Sequence, residues 1–183
     1  EGIATIVEEF DRDGVVYVGA NDGMLHAFKA DHVVTNANGV KSRQDDNGEE
    51  LYAYVPQAVF GNLKDLTQPS YSHRFYVDGS PNSNDVFLKK SDGSGDWATV
   101  VVGGLIAGGQ GIYAIDATDP TKLGKDSLLW EVTDRTSTDF IDLGFTFSQP
   151  AIVRLQDGTW AAVERLHAAG EVGSAAVEDL VDD

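Results

Sequence analysis

The segment 15–28 constrains the fold of this chain more than any other, because it reads as two strands joined by a tight turn. Its letters are VVYVGANDGMLHAF, with Asn21, Asp22 and Gly23 between two β-prone apolar runs. An Asp-Gly pair in that setting is a strong hairpin signal, since glycine adopts a positive φ without a Cβ clash. The sequence therefore predicts a β-hairpin near the start of the chain.

A looser copy of this hairpin follows at 100–116, where VVVGG leads through a glycine-rich turn into GIYAID. A second parallel joins the Ser-Pro at 80–81 to the Ser-Gln-Pro at 148–150, each followed by an apolar strand pattern. Repeated units of a Pro-preceded strand, a hairpin pair and a closing strand are typical of propeller blades. The sequence thus predicts an all-β fold, a partial β-propeller of four-stranded antiparallel blades. Its strands are predicted at 14–18, 24–28, 51–55, 74–77, 85–88, 99–103, 111–116, 127–132, 149–155 and 159–163.

Other segments fall outside this repeat. Residues 36–49 are rich in Asn, Asp and Gly and predict a loop, while Pro56 suits the first turn of a short helix over 56–66. After residue 163 the chain becomes rich in Ala, Glu and Asp, and its apolar residues fall at helical spacing. We expect residues 1–163 to form the partial propeller and residues 164–183 to form a C-terminal helix or a disordered acidic tail.

The charge balance limits the partners of the chain. Lys and Arg number 13 and Asp and Glu 30, which gives a net charge of −17. This balance disfavours nucleic acid, because phosphate binding needs clustered basic side chains. There is no cysteine, so disulfides, zinc-thiolate sites and cysteine nucleophiles are excluded. No apolar run reaches the roughly 18 residues of a membrane span, and we expect none.

A cluster of acidic and amide side chains is the best local candidate for a metal site. Calcium prefers clustered carboxylate and amide oxygens with a glycine at the bend. This cluster lacks the alternating Asp spacing of a regular calcium loop, so a solvated turn is the competing interpretation and no metal site is predicted. The weak calcium candidates are Asp45, Asp46, Asn47 and Glu49.

No motif for catalysis or cofactor binding is present. The glycine-rich run 103–111 lacks the Gly-Lys-Ser/Thr ending of a phosphate-binding loop and leads into a strand rather than a helix. His26 is expected to be a hydrogen-bonded structural histidine. The chain is therefore predicted not to be an enzyme, with no catalytic and no cofactor-binding residues.

The aromatic residues indicate two different roles. Trp97, Trp130 and Trp160 fall near or within predicted strands and are expected to pack between blades. Other aromatics flank the loop regions, and aromatic side chains are enriched where proteins bind one another. The candidate partner-binding residues are Tyr52, Tyr54, Tyr71 and His73.

Five separate sequence segments, in the same order, resemble the C-terminal propeller domain of the PilY family, called PilC in some bacteria. The resemblance covers most of the chain, from about residue 13 to residue 162, and its repeats are similar to those of quinoproteins. The segments are VYVGANDGMLHAF at 16–28, GEELYAYVP at 48–56, YVDGSP at 76–81, VGG with GGQGIYA at 102–114, and SQP at 148–150.

The resemblance implies a non-enzymatic type IV pilus biogenesis factor and pilus-tip adhesin. It implies an exported bacterial protein at the cell surface, pilus, outer membrane or periplasm. The loops 36–50 and 61–71 would contact protein partners such as minor pilins or a surface receptor. The family carries a calcium loop beyond the region of Trp160, but no positions here match it, so no cofactor is expected.

Only two to three blades are present, whereas closed propellers have about 4–8. Open strand edges invite pairing with another chain, so self-association is expected. Two alternatives remain at this stage. One is a structural scaffold propeller without an adhesion role, and the other is a fragment of a quinoprotein dehydrogenase.

Overall fold

The computed structural model describes residues 5–7, 12–45, 48–90, 93–136, 138–168, 171–178 and 181–182. Three sheets, antiparallel apart from one short parallel pairing, contain all the strands of the described residues. The all-β prediction is confirmed, because successive strands pair with their neighbours in sequence as in a meander. Within the described ranges, no helix is both long and apolar enough to cross a membrane.

The first sheet is built on the predicted hairpin. In its turn Gly23 has a φ of 101°, the Ala20 N–H donates to the Met24 carbonyl, and the Asp22 carboxylate accepts from the Met24 N–H at 3.0 Å. The second hairpin strand runs on to Thr35, twice the predicted length. Its first half pairs with one strand and its second half with another. The strands are β1 (Thr5–Val7), β2 (Gly14–Gly19), β3 (Leu25–Thr35), β4 (Lys41–Asp45) and β5 (Glu50–Tyr54).

The second sheet is a four-stranded antiparallel meander in the predicted order. The strand that follows Pro81 comes first, the hairpin pair follows and the closing strand ends the unit. A two-residue strand near the C-terminus adds to the first strand in parallel. The strands are β6 (Asn82–Lys90), β7 (Gly95–Gly104), β8 (Gly111–Asp116) and β9 (Leu128–Thr133), with β14 (Val181–Asp182) beside β6.

The third sheet corrects the expectation for the C-terminal segment. Its strands are β10 (Phe145–Thr146), β11 (Ala151–Arg154), β12 (Trp160–Ala168) and β13 (Glu171–Glu178). The predicted helix or disordered tail over 164–183 is wrong for the described part. β12 runs on across residue 163, and β13 pairs with it over eight residues, from Ala161↔Glu178 to Ala168↔Glu171. Pairing with a neighbouring strand here overrides the helical spacing of the apolar residues.

The segment between the first two sheets contains the predicted helix. It is a 3₁₀ helix, Gln57–Thr67, that starts after Pro56 and buries Val59. The strand predicted at 74–77 is wrong, because this segment is irregular. Its N–H groups bond instead to the β2–β3 turn, from Tyr76 to the Asn21 side chain at 2.9 Å and from Val77 to the Ala20 carbonyl at 3.3 Å. Short 3₁₀ turns occur at Ile106–Gly108, Pro120–Lys122, Lys125–Ser127 and Thr138–Phe140.

Strand β7 lies between two hydrophobic cores. Val101 is buried in the core shared with the first sheet, whereas Val100 and Val102 are buried in the core shared with the third sheet. This alternation follows from the two-residue period of a strand that is covered on both faces. The second sheet is therefore packed between its two neighbours.

Equivalent strands of consecutive sheets lie side by side. The Asn82 side chain donates to the Pro150 carbonyl at 2.9 Å, and the Gln149 side chain donates to the Pro81 carbonyl at 3.0 Å. The strand segments that follow Pro81 and Pro150 therefore lie next to each other. β1 also contacts β6. Sheets that meet through equivalent strands are the arrangement of propeller blades around an axis.

Candidate partner-binding surface

A hairpin projects from the first sheet where a loop was predicted at 36–49. It is formed by the second half of β3 and by β4, paired from Asp31↔Asp45 to Thr35↔Lys41. The Asn36 carboxamide closes its turn by accepting from the N–H groups of Asn38 and Val40 at 2.9 and 3.0 Å. Residues 35–42 at its tip are exposed. We call this element the projecting hairpin.

The base of the projecting hairpin is fixed to the sheet by charged hydrogen bonds. The Arg43 guanidinium donates to both carboxylate oxygens of Asp31, at 2.6 and 2.8 Å, and Asp31 also accepts from the Gly14 N–H. Burial raises the pKa of Asp31, but the Arg43 and Gly14 hydrogen bonds outweigh it and lower the pKa overall. The Asp13 carboxylate accepts from the Val33 N–H at 3.0 Å. The hairpin therefore presents its tip from a rigid base.

Two of the four calcium candidates, Asp45 and Glu49, lie in the described residues. Asp45 ends β4 and is exposed, and Glu49 is exposed just before β5. Glu49 contributes its backbone carbonyl to a bond from the Lys29 N–H at 2.8 Å. Asp46 and Asn47 lie outside the described residues. Among the residues that are described, no three acidic or histidine side chains are grouped so that they could hold a metal ion.

His26 connects the β2–β3 turn to β5. Its Nε2 lies 2.9 Å from an Asp22 carboxylate oxygen and its Nδ1 lies 2.5 Å from a Glu50 carboxylate oxygen. Burial lowers the pKa of His26, but the hydrogen bonds to Glu50 and Asp22 outweigh this effect, so the pKa is raised. The predicted hydrogen-bonded structural role is consistent with this geometry.

The four candidate partner-binding residues lie in different surroundings. Tyr52 is partly buried on β5 and Tyr54 is only 9% exposed. The Tyr54 hydroxyl donates to the Glu131 carboxylate at 2.7 Å, and the same carboxylate accepts from the Gln57 N–H. Tyr54 thus joins β5 and the 3₁₀ helix to β9. Its burial contradicts the expected surface contact, because a side chain packed in the core cannot reach a partner.

Tyr71 and His73 lie together on the surface. They line a groove of about 360 Å³ that follows the 3₁₀ helix. The Tyr71 hydroxyl accepts from the Arg74 N–H at 3.2 Å, and the His73 ring meets Phe75 edge-on with centroids 5.1 Å apart. Arg74 itself forms an ion pair with Asp65 at 2.9 Å. The contact loop predicted over 61–71 is helical up to Thr67, so we call the segment 68–75 the exposed loop.

A larger cleft of about 500 Å³ was not anticipated from the sequence. It lies between the 3₁₀ helix, the glycine-rich turn before β8 and the strand β10. Phe75 and Phe145, 43% and 41% exposed, line it together with Arg74 and Arg135. These residues come from three parts of the chain that meet only through folding, so no local sequence signal identifies the cleft.

Four-stranded blades that pack through equivalent strands and carry exposed loops define a partial β-propeller. The family model described as "PilY1 beta-propeller domain" matches residues 3–178, which includes β12 and β13. The chain belongs to this PilY1 β-propeller family, and the resemblance noted in the sequence is confirmed.

Curated relatives support the same assignment. The chain is 43% identical over 152 residues to the type IV pilus biogenesis factor PilY1 of Pseudomonas aeruginosa strain PAO1, covering 81% of this chain and 11% of that protein. It is 40% identical over 148 residues to a PilY1 homolog of Xylella fastidiosa strain Temecula1, covering 81% of this chain and 8% of that protein. The chain thus spans about a tenth of the length of these relatives.

A solved structure agrees with the fold. The crystal structure of the Pseudomonas aeruginosa PilY1 C-terminal domain superposes with a TM-score of 0.62 at 36% sequence identity. The match covers 91% of this chain and 28% of that domain. The partial propeller of this chain therefore corresponds to part of a larger domain in its relative.

Proposed function

We propose that this chain is a non-enzymatic propeller module of an exported type IV pilus biogenesis factor. It supports pilus assembly and surface attachment by holding protein partners, such as minor pilins or a surface receptor. The names of its relatives as pilus biogenesis factors support the process, and the identity of about 40% over most of the chain supports the transfer. The cell surface or pilus is the proposed location.

The projecting hairpin carries this proposal. Its tip is exposed, its base is held by the Arg43–Asp31 ion pair, and it extends beyond the part of β3 that pairs with β5. A rigid loop loses less conformational entropy on binding than a flexible one, so it suits a recognition role. The exposed loop, with Tyr71 and His73, is the second proposed contact.

A shortened hairpin tests the proposal. Residues 34–42 are replaced by Asn-Gly, so that Val33 and Arg43 and their bonds to the base are kept. We expect binding to purified minor pilins to weaken by about tenfold or more, as for loss of a main contact, with little change in thermal stability. The matched control changes the exposed pair Lys125 and Asp126 to Ala and should bind normally. Equal affinity of the shortened variant would favour the scaffold alternative without an adhesion role.

Open blade edges are a third proposed contact surface, for a second copy of the chain. β9 and β13 each have one strand partner in the described part of the chain. Unpaired edges template further strands, so we propose concentration-dependent self-association. The calcium loop of the family has no match here, and we propose that this association does not depend on calcium. Light scattering after size exclusion, with and without calcium, tests both statements, and a monomer at all concentrations would refute the first.

A further inference from the structure

An aromatic cavity lies at the ends of two neighbouring hairpins, and none of its lining residues belongs to the projecting hairpin. Trp97 of β7 is 64% exposed, although the sequence predicts that it packs between blades. It stands directly opposite Phe87 of β6, which is 37% exposed. Trp160 of β12 lies at the corresponding end of the β11–β12 hairpin, opposite Arg154. So large an indole surface left in water on a strand indicates a binding role more than a packing role.

The three rings form a fixed group. Trp97 meets Phe87 edge-on with centroids 5.8 Å apart and meets Trp160 edge-on at 6.2 Å. Trp160 in turn packs against the core shared by the second and third sheets. Because Trp97 is held by two rings and by its strand, it loses little freedom when it binds a ligand.

Charged side chains complete the cavity, whose volume is about 310 Å³. Lys89 and Arg154 supply donors, and Asp157 supplies acceptors. Hydrogen bonds from Thr159 lower the pKa of Asp157, so its carboxylate is ionised at neutral pH. Gly158, with a φ of 93°, forms the turn that brings Asp157 and Arg154 to the same rim.

We infer that this cavity binds a neutral sugar. A sugar ring has an apolar C–H face, which matches the surface of an indole, and hydroxyl groups that both donate and accept hydrogen bonds. Arg154 and Lys89 can donate to these hydroxyls and Asp157 can accept from them. The cavity has about the smallest volume typical of ligand sites, which suits one or two sugar rings.

The charges of the cavity are mixed, because Lys89 and Arg154 are cationic, Asp157 is anionic and the whole chain carries a net charge of −17. Neither anions nor cations therefore meet a site of uniformly opposite charge. A mixed set of donors and acceptors around an aromatic surface therefore fits an uncharged, hydroxyl-rich ligand best. This site is separate from the projecting hairpin, so it goes beyond the proposed function and does not depend on it.

Saturation-transfer NMR on the whole chain tests this inference with lactose, cellotriose and chitotriose as neutral probes and 3′-sialyllactose as an acidic one. We expect saturable binding of at least one neutral probe, stronger than binding of the acidic probe. Trp97→Ala should weaken it by about tenfold or more, as for a central aromatic contact. Asp157→Asn, which keeps an acceptor for the Thr159 N–H, should weaken it as well.

Phe60→Ala is the matched control, because Phe60 is 56% exposed on the 3₁₀ helix and does not line the cavity. It should bind the probes as the unchanged chain does. Failure of all three neutral probes to bind would overturn the inference, and so would normal binding by both Trp97→Ala and Asp157→Asn. If Trp97→Ala instead abolishes self-association while no sugar binds, the aromatic cavity is a protein interface and the inference is wrong.

Discussion

Changing Glu164 to Gln should remove most of one pH-dependent loss of stability from this chain. Glu164 is 1% exposed on β12. One of its carboxylate oxygens accepts from the N–H and the hydroxyl of Ser148, at 3.0 and 2.8 Å, whereas the other is buried and has no hydrogen-bond partner in the described part of the chain. Burial raises the pKa of Glu164 from 4.5 to about 7, against the opposing effect of the Ser148 hydrogen bonds.

Proton binding to Glu164 sets the direction in which stability changes with pH. Between the unfolded and folded pKa values the folded chain holds the proton and the unfolded chain has lost it. The stabilisation from the protonated carboxyl is therefore complete below pH 4.5 and is lost as the pH rises through about 7. At about 1.4 kcal/mol per tenfold change in proton affinity the whole effect is about 3 kcal/mol. About 2.5 kcal/mol of it falls between about pH 5 and about pH 8.

Urea unfolding of the original chain and of Glu164→Gln at these two pH values measures the effect. Because each chain is compared with itself at the two pH values, any pH-independent cost of burying the amide of the variant cancels. We expect the original chain to lose about 2.5 kcal/mol more than the variant between the two pH values. Ser148→Ala should steepen the loss, because it removes a hydrogen bond that favours the ionised carboxylate. Parallel pH profiles for the original chain and Glu164→Gln would show that the Glu164 carboxyl does not take up its proton more readily in the folded chain.

Three further changes test other parts of the structure. Gly79→Ala should destabilise by about 1–3 kcal/mol in thermal unfolding, because its Cβ would lie 1.9 Å from the Gly104 carbonyl oxygen. Gly61→Ala is the control, because its Cβ would have open space. Equal melting temperatures for the Gly79→Ala and Gly61→Ala variants would contradict the close packing of Gly79 against Gly104. Leu105→Ala, at a fully buried site, should destabilise by about 2–5 kcal/mol in urea, and a change below about 1 kcal/mol would be inconsistent with its burial. His26→Gln should destabilise the chain more at about pH 5 than at about pH 8. The pKa of His26 is raised in the folded chain, so the protonated ring stabilises the fold below the unfolded-state pKa, and this stabilisation is lost as the pH rises through the folded-state pKa. A pH-independent effect in urea unfolding would argue against the carboxylate pairing.

Local sequence signals were sufficient where the turn chemistry is unambiguous. The Asp-Gly pair at 22–23 predicted a hairpin, and Gly23 adopts the positive φ that this turn requires. The segments that follow Pro81 and Pro150 predicted equivalent strands, and β6 and β11 lie side by side. These features depend on a few neighbouring residues, so they can be read before the fold is known.

Pairing with distant strands decided the segments that local signals missed. β4 is the polar run KSRQD, which has no apolar alternation, and it is a strand only because β3 extends beyond β5 to pair with it. The segment of β13 was expected to be a helix or a disordered tail but pairs with β12. Conversely, 74–77 has a strand-like composition, but its N–H groups bond to the β2–β3 turn.

The chemical surroundings of single side chains were harder still to anticipate. Tyr54 was expected at the surface and is buried against Glu131, whereas Trp97 was expected inside and is 64% exposed. Both outcomes depend on which strands face each other across sheets. Tyr71 and His73 share a groove because one short segment carries both, so their proximity could be predicted.

Site-specific crosslinking tests whether the projecting hairpin contacts minor pilins. A photo-reactive amino acid is placed at Asn38, at the tip of the projecting hairpin, or at the exposed Lys125 as a control, and each chain is irradiated with purified minor pilins. We expect a crosslinked pilin from position 38 and none from position 125. Crosslinks from position 125 with none from position 38 would contradict the assignment of the projecting hairpin as the partner-binding surface.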